Sequence, residues 1–408
     1  MTSYNSYDRY FKKKKPKLDK TQKNMYFNSL FEISIIAILV LATAYFFIYP
    51  TTHNLSLTKL IWMPGFIISF FSCFICISQR NDSFKPLELL TFLLLATIII
   101  SGCIISGLSA DVLFSATAFM VLLLAMWLYS GVTISKRLFD IVYYFGVILS
   151  LLFIVYSFTD IARKAYIDGN FIQSVYFVFN FDNSNTTATY LYGIMCLILV
   201  NFPLRKYKAF NALLILSNFY FIYKTNSRSC LIAAIVTLFF SLFTSKKKVP
   251  TLFVIVAWLV PIIFVFVYLY MYHSGVEDIQ ILGKSLFSGR ETVYEDYLGM
   301  LKNTTQTLFG NLGEARFQNA HNAPLSIYCS SGVIGVIISE ILILTSVLKI
   351  NLNSQISRVC VFVIIGYFIH SCAESIMFMG GFPGCVFVIV FYLLANYSKE
   401  NSEKILFK

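Results

Sequence analysis

One histidine and two arginines provide the residue types that could transfer a group from a phosphorylated donor. His321 precedes a long apolar run, while Arg228 and Arg290 lie near the ends of other segments. A guanidinium binds phosphate through paired hydrogen bonds, and a neutral imidazole accepts a proton near neutral pH. The three residues together predict an enzyme that binds an anionic head group and activates a hydroxyl at a membrane surface.

The residues that follow His321 favour the start of a helix. Asn322 is a suitable N-cap and Pro324 suits a first helical turn. The histidine would then lie at the positive end of a helix dipole, which favours a neutral imidazole, as do nearby arginines. Gly332 and Gly335, one turn apart, would let a neighbouring helix approach closely. The alternative is an interfacial histidine that only bonds to loop backbone.

Arg228 also has a structural alternative. It lies between two apolar runs with almost no loop, where it could anchor a helix by extending its charged end to the aqueous interface. In the functional interpretation its guanidinium binds a phosphate. Lys224, four residues earlier, would add positive charge on the same side.

Arg290 is predicted to lie in the first turn of a short amphipathic helix over about 289–302. Ser288 and Glu291 have the spacing of a capping box, which favours a helix start there. Such a helix start presents N–H donors to an anion, and the arginine adds charge. The alternative is a weak surface ion pair with an acidic residue of the same helix: Glu291, Glu295 or Asp296.

The remainder of the chain predicts an all-α polytopic membrane protein. Of the 408 residues, 58% are hydrophobic and 13% are charged, whereas soluble domains average about 25% charged residues. We predict about 12 transmembrane helices and a large extracytoplasmic loop, with the amphipathic helix lying against the outer membrane face. The predicted spans are about 29–49, 60–79, 87–106, 111–130, 138–158, 186–203, 209–223, 229–244, 250–272, 323–348, 359–378 and 381–397.

The basic residues follow this topology. With the N-terminus in the cytoplasm, most of the 32 lysines and arginines fall in cytoplasmic segments. We predict a basic cytoplasmic segment over 1–28, a single transmembrane domain over 29–397 and a cytoplasmic tail over 398–408, with an extracytoplasmic catalytic loop over about 273–321. The net charge of +12 is explained by topology and by contact with anionic membrane lipids, so no nucleic-acid partner is expected.

The motifs resemble those of the O-antigen ligase and Wzy-type polysaccharide polymerase family. The His-Asn pair at 321–322, followed by Gly332 and Gly335, is similar to the family pattern H-N-x9-G-x-x-G. Asn-Ser-Arg-Ser at 226–229 resembles its S-R at a span start, and Ser-Gly-Arg at 288–290 resembles its G-R in the large outer loop.

Two further features bear on this resemblance, which covers about 220–340 and is architectural elsewhere. Phe-Gly-Asn-Leu-Gly at 309–313 resembles the family's Gly-rich turn before the histidine. Where the family often has Trp or Leu after the loop arginine, this chain has Tyr294 and Tyr297, which could stack on sugar rings.

The resemblance implies a metal-independent membrane glycosyltransferase of the GT-C type that needs no cofactor. It would act on the extracytoplasmic side of the bacterial cytoplasmic membrane, with donor and acceptor oligosaccharides carried on undecaprenyl pyrophosphate. Arg228 and Arg290 would hold the pyrophosphate, and His321 would take the proton of the acceptor hydroxyl, with inversion at the anomeric carbon. The candidate substrate-binding residues are Asn322, Lys224, Tyr294, Tyr297, Lys284 and Arg316.

The leading hypothesis is a polymerase that builds a capsular, exopolysaccharide or O-antigen chain beside a flippase and a chain-length regulator. An O-antigen ligase, which transfers the glycan to a lipid A core, is the close alternative because the donor chemistry is shared. A flippase or transporter for the same lipid-linked glycan would need charge deep inside several spans. The predicted spans hold almost none, since Glu32 and Glu88 lie near span ends.

Overall fold

Apolar helices make up most of the described structure. The computed structural model describes residues 20–79 except 53–54, 121–159, 184–243, 251–276, 289–312, 320–375 and 382–397, and short segments within 96–107, 163–177, 280–287 and 406–407. Residues 121–129 are helical. The helices with described ends are α1 (Lys20–Thr52), α2 (Leu55–Gln79), α3 (Lys136–Ser157), α4 (Ser184–Asn201), α5 (Lys208–Lys224), α6 (Arg228–Phe243), α7 (Thr251–His273), α8 (Arg290–Gly299), α9 (Thr304–Phe309), α10 (Ala323–Leu348), α11 (Gln355–His370) and α12 (Phe382–Leu394).

The described strands are two-residue segments that pair antiparallel. The pair β1–β8 joins the loop before α3 to the C-terminal tail, and the other three pairs, β2–β5, β3–β4 and β6–β7, lie within loops. The strands are β1 (Val132–Thr133), β2 (Arg163–Lys164), β3 (Ile167–Asp168), β4 (Phe171–Ile172), β5 (Tyr176–Phe177), β6 (Gln280–Ile281), β7 (Lys284–Ser285) and β8 (Leu406–Phe407).

Several helices have the length and apolar character to cross a membrane. Large apolar side chains also remain exposed on helix surfaces, among them Phe70 of α2, Ile148 of α3 and Phe266 of α7. In water such surfaces would favour association, whereas lipid covers them. The protein is therefore helical and suited to a membrane. Within the described residues, the five candidate spans are Tyr26–Tyr45, Lys136–Ser157, Ser184–Leu204, Thr251–His273 and Ala323–Leu348.

The predicted count of twelve spans is wrong for the described part of the chain, where five helices qualify and three apolar helices are shorter. The predicted span 359–378 corresponds to α11, which has 16 residues and ends at His370. At 1.5 Å per residue such a helix covers about 24 Å, less than the ~30 Å hydrocarbon layer. The apolar window over 359–378 thus overstates this helix, and most of the predicted span 87–106 lies outside the described residues.

Helix α11 lies at the centre of the helices that support the candidate site. It packs against α6 most extensively and also against α4, α7 and α12. Its apolar side chains, such as Val361 and Ile364, are fully buried because neighbours cover several of its faces. The residues that follow its last turn are therefore placed by a well-packed core.

Helix α10 is broken at Gly332, where φ is 66° and ψ is −170°. A Cβ at Gly332 would lie 2.3 Å from the carbonyl carbon of Leu308, the residue before the last of α9. The backbone N–H of Asn311 donates to the carbonyl of Cys329 in α10 at 2.7 Å. A Cβ at Gly310 would lie 2.3 Å from the carbonyl carbon of Ser330, the next residue of α10. Gly332 thus allows another segment to approach α10 closely. That segment is the short loop helix α9 with the turn after it.

The loop helix predicted over 289–302 is confirmed as α8, which covers Arg290–Gly299. Its N-cap is Gly289 in the left-handed region, without a side-chain cap. The predicted cap Ser288 lies outside the described residues. Helix α8 packs against α7 and α10. Its apolar side therefore faces protein helices, which corrects the prediction that it lies against the membrane face.

Candidate functional site

Two of the three predicted catalytic residues meet at a carboxylate that the sequence interpretation overlooked. Glu374 follows α11, and its side chain is only 8% exposed. Arg290 Nη2 lies 3.5 Å from its Oε1, and His321 Nδ1 lies 3.4 Å from its Oε2. The side-chain amide of Asn185, in the first turn of α4, also donates to Oε1. Glu374 thus joins the loop helix, the start of α10 and the start of α4.

The turn that carries Glu374 is held by donors from two other elements. The Tyr294 hydroxyl of α8 donates to the carbonyl of Cys372 at 3.1 Å, and Asn322 Nδ2 donates to the same carbonyl at 3.2 Å. The backbone N–H of Ala323 donates to the carbonyl of Ser371 at 3.1 Å. These bonds satisfy carbonyls at the end of α11 that have no helical partner. They fix the backbone immediately before the carboxylate.

His321 lies directly before the N-cap of α10. Asn322 caps the helix by accepting from the Leu325 N–H at 2.9 Å, and Pro324 lies in the first turn, so both predictions are confirmed. His321 itself has φ of 50°, a strained conformation for a residue with a Cβ. Non-glycine residues retain such strain mainly where the surrounding structure imposes it, and often at functional sites.

Arg290 is positioned by the anchoring of α8. Tyr294 and Tyr297, one turn apart on one face of this helix, are 0% and 2% exposed. They pack with Tyr268 of α7 and Leu325 of α10. Burial raises the pKa of the Tyr294 phenol, so this hydroxyl stays protonated as a donor. Arg290, in the first turn, reaches Glu374 and also donates to the Ala373 carbonyl at 3.3 Å.

Arg228 begins α6 and is linked to the same region of the molecule. Its Nη1 donates to the carbonyl of Ser285 at 2.8 Å, five residues before Arg290. Asn226, two residues earlier, has φ of 56°, and among the described residues only Asn226 and His321 are non-glycine residues with positive φ. Arg228 therefore contacts the loop that leads to α8, whereas the contacts of Arg290 and His321 converge on the carboxylate.

A buried histidine connects α6 to the end of α11. Nε2 of His370 lies 2.9 Å from the Thr189 hydroxyl, and Nδ1 lies 3.0 Å from the Ser229 hydroxyl. Thr189 donates its only proton to the carbonyl of Asn185 at 2.8 Å, so it must accept from Nε2–H. Nδ1 of His370 then accepts from Ser229. This bond pattern fixes one tautomer and joins α4, α6 and α11 beside the site.

The charge of Glu374 is set by its neighbours. Burial alone would raise the pKa of this carboxyl, but the hydrogen bond from His321 and the positive charges of His321 and Arg290 outweigh burial and hold it below its ordinary value. Glu374 is therefore ionised at neutral pH and can only accept hydrogen bonds.

The structure does not present three of the predicted substrate-binding side chains to a ligand. Tyr294 and Tyr297 are buried between helices, which corrects the prediction that they stack on sugars. Asn322 is 0% exposed, and its amide nitrogen donates to the carbonyls of Pro261 and Cys372. All three hold the site together because their polar atoms or rings are engaged within the protein.

The remaining predicted binding residues are basic. Lys224, the last residue of α5, is exposed, with its ammonium 5.5 Å from the ring centre of Tyr220. Lys284 lies in β7, but its side chain is outside the described residues, as is all of Arg316. Arg290 pairs with Glu374, which follows α11. The ion-pair partners considered from the sequence, Glu291, Glu295 and Asp296, all lie on the same helix as Arg290.

Sequence reasoning missed Glu374, Asn185 and His370 as parts of the site. Glu374 fell inside a predicted span, although an acidic residue within an apolar run is itself a signal of function. His370 lies within the predicted span 359–378, and nothing near Asn185 in the sequence indicates its contact with Glu374.

The described residues contain no cluster of three or more His, Cys, Asp or Glu side chains that could hold a metal ion. Comparison with known proteins adds no family assignment: no protein-family model, curated protein or solved structure matches this chain.

Proposed function

We propose that this protein is a polysaccharide polymerase of the bacterial cytoplasmic membrane. It joins oligosaccharide repeat units carried on undecaprenyl pyrophosphate into a capsular, exopolysaccharide or O-antigen chain. The observation that carries the proposal is the convergence of Arg290 and His321 on Glu374 at one end of the apolar helices. Arg228 supports it through its bond to the loop that precedes Arg290. A base and two cations are the groups that displacement of a pyrophosphate requires.

The proposed reaction is a single displacement. A sugar hydroxyl of the acceptor attacks the anomeric carbon of the donor, and the bond from that carbon to the pyrophosphate oxygen breaks. His321 takes the hydroxyl proton as general base, and undecaprenyl pyrophosphate leaves. Arg228 and Arg290 stabilise the negative charge that develops on the leaving group. Because no covalent enzyme intermediate forms, the configuration at the anomeric carbon inverts, and the charge stabilisation requires no metal ion.

The proposed location of the site is the extracytoplasmic side, with both chain termini in the cytoplasm. The positive-inside distribution of lysines and arginines supports this orientation. Exposed apolar side chains on α7, such as Phe266 and Val267, provide a surface along which a polyprenyl tail could lie. Such binding would hold the reacting pyrophosphate at the membrane surface beside the arginines.

A transporter for the same lipid-linked glycan is the second candidate, because Glu340 is buried within α10 at 7% exposure. The sequence interpretation considered only acidic residues near span ends and overlooked this one. A buried carboxyl inside a span is a feature of substrate and ion pathways. A pathway needs such groups on several spans, however, whereas Arg290, His321 and Glu374 lie together at the ends of helices.

The test is chain growth by purified protein in vesicles supplied with lipid-linked repeat units, followed by gel separation of the polymer. Wild-type protein should form a ladder of products in the presence of EDTA, and His321→Ala should form none. His273→Ala is the matched control, since His273 is 62% exposed and pairs with Glu295. A full ladder from His321→Ala would exclude the base role. Translocation of unmodified donor without ladder formation would favour the transporter.

A further inference from the structure

Glu374 is a charged group at the site that has no part in the proposed reaction. It touches neither donor nor acceptor in the proposed reaction, yet it is nearly buried and contacts Arg290, His321 and Asn185. A buried carboxylate is costly unless it is paired, so its neighbours must compensate it. The distribution of those neighbours over its two oxygens gives it a specific role.

The two oxygens of Glu374 have different partners. Oε1 accepts from the Asn185 amide and lies near Arg290 Nη2, so it faces two donors. Oε2 lies near Nδ1 of His321. Because an ionised carboxylate can only accept, the proton between Oε2 and the imidazole belongs to Nδ1. In the neutral imidazole the other nitrogen, Nε2, then carries the lone pair.

We propose that Glu374 is the positioning residue of the site, which holds His321 in the Nδ1–H tautomer and directs its basic Nε2 to the acceptor hydroxyl. This inference rests on the proposed function, because the tautomer matters only if His321 acts as a base. A base with its lone pair on the wrong nitrogen cannot take the proton. The same carboxylate holds Arg290 beside the imidazole through Oε1.

The surrounding backbone supports a positioning role. The carbonyls before Glu374 receive bonds from Tyr294, Asn322 and Ala323, so the carboxylate is carried by a turn that α8 and α10 both hold. His321 has a positive φ, a strained conformation that the surrounding contacts maintain. A surface ion pair would need neither this strain nor this support.

The geometry predicts the effect of Glu374→Gln in detail. The glutamine oxygen should take the Oε1 position, because Asn185 and Arg290 both donate there. The glutamine NH₂ then replaces Oε2 and donates to Nδ1 of His321. The imidazole must carry its proton on Nε2, which is the wrong tautomer for a base at that nitrogen. Glu374→Asp keeps two accepting oxygens and should retain the native tautomer.

The experiment is nitrogen NMR of histidine-labelled protein in vesicles, where the four histidines are few enough to assign by substitution. We expect His321 to change from Nδ1–H to Nε2–H in Glu374→Gln and to stay Nδ1–H in Glu374→Asp. Glu340→Gln is the control, because Glu340 is a second buried carboxyl that lies within α10. It should leave the His321 tautomer unchanged. An unchanged tautomer in folded Glu374→Gln would overturn the proposal.

Kinetics of the same variants complete the test. For Glu374→Gln we expect kcat to fall by about 10²- to 10⁴-fold with little change in KM, the order of effect that loss of a positioned base produces. Glu374→Asp should recover part of the loss. Equal losses in kcat for both variants, with the native tautomer retained in both, would show a purely structural role. Since the tautomer is measured without substrate, absence of polymer from the wild type would refute the proposed function separately.

Discussion

The hydroxyl of Ser229 contacts Nδ1 of His370 at 3.0 Å, so the residue after Arg228 is tied to the last residue of α11. Glu374 lies four residues beyond His370. The arginine at the start of α6 and the carboxylate after α11 are therefore held at the same end of two packed helices. We expect substitution of this buried histidine to disturb the site as well as the fold.

His370→Ala should lower the free energy of unfolding by about 1–3 kcal/mol, since it removes a hydrogen-bond partner of the buried Thr189 and of the half-buried Ser229 and opens a cavity. Chain growth should fall in parallel as α6 shifts. The measurement is unfolding in mixed detergent micelles, with the exposed His273→Ala as control. Equal stability of the two variants would argue against the link between helices.

Arg228→Lys should reduce chain growth severely without changing thermal stability. Lysine keeps the charge but lacks the fork that binds a phosphate through two bonds. Arg358→Lys is the matched control, because the Nη1 of Arg358 also donates to loop carbonyls, those of Leu352 and Asn353, near the opposite end of α11. Turnover near the wild-type level in Arg228→Lys would indicate that this arginine only anchors its helix.

Gly332→Ala should destabilise the protein by about 3 kcal/mol or more. The substitution combines a strained φ of 66° with a Cβ 2.3 Å from the backbone of Leu308, and neither can be relieved by rotating a side chain. Gly299→Ala is the control, since its Cβ would meet nothing within 4 Å at the end of α8. There we expect no loss, or a gain of about 0.5–1 kcal/mol. Similar melting temperatures for both variants would contradict the close packing of α9 on α10.

The stability of the protein should depend on Glu374 in acid. Its pKa is raised by burial but held below 4.5 overall by the hydrogen bond from His321 and by the charges of His321, Arg290 and His370. Because the folded-state pKa is depressed, the ionised group contributes stability above about pH 4.5, and this contribution is lost as pH falls through the folded value. The difference in melting temperature between wild type and Glu374→Gln should therefore shrink below about pH 4.5. A difference that stays constant through this range would contradict the ionised assignment.

Short-range patterns in the sequence predicted local structure well. Asn322 and Pro324 mark the start of α10 because caps and first-turn prolines act within a few residues. The helix around Arg290 was predicted for the same reason, although Gly289 replaces the expected cap. The apolar, helical character of the chain follows directly from its composition.

Contacts between distant segments could not be predicted in this way. The run from 359 to 378 is apolar enough to read as one span, and no proline or capping residue marks the end of α11 at His370. Glu374 was therefore hidden within a predicted helix. Tyr294 and Tyr297 have a chemistry suited to sugars, but their spacing on one helix face also favours burial, and the packing of α8 against α7 decides between the two.

Helix α8 is attached to the protein by its two buried tyrosines, whereas its positive charge at the site is carried by a different residue, Arg290. Attachment depends on aromatic packing with α7 and α10, whereas Arg290 meets Glu374 only at 3.5 Å. In the proposed reaction, the diphosphate of the donor would therefore compete with the carboxylate for the guanidinium while the backbone stays in place. Such an exchange of partners would leave Glu374 with Asn185 and His321, so that occupancy by the donor strengthens the electrostatic hold on the base.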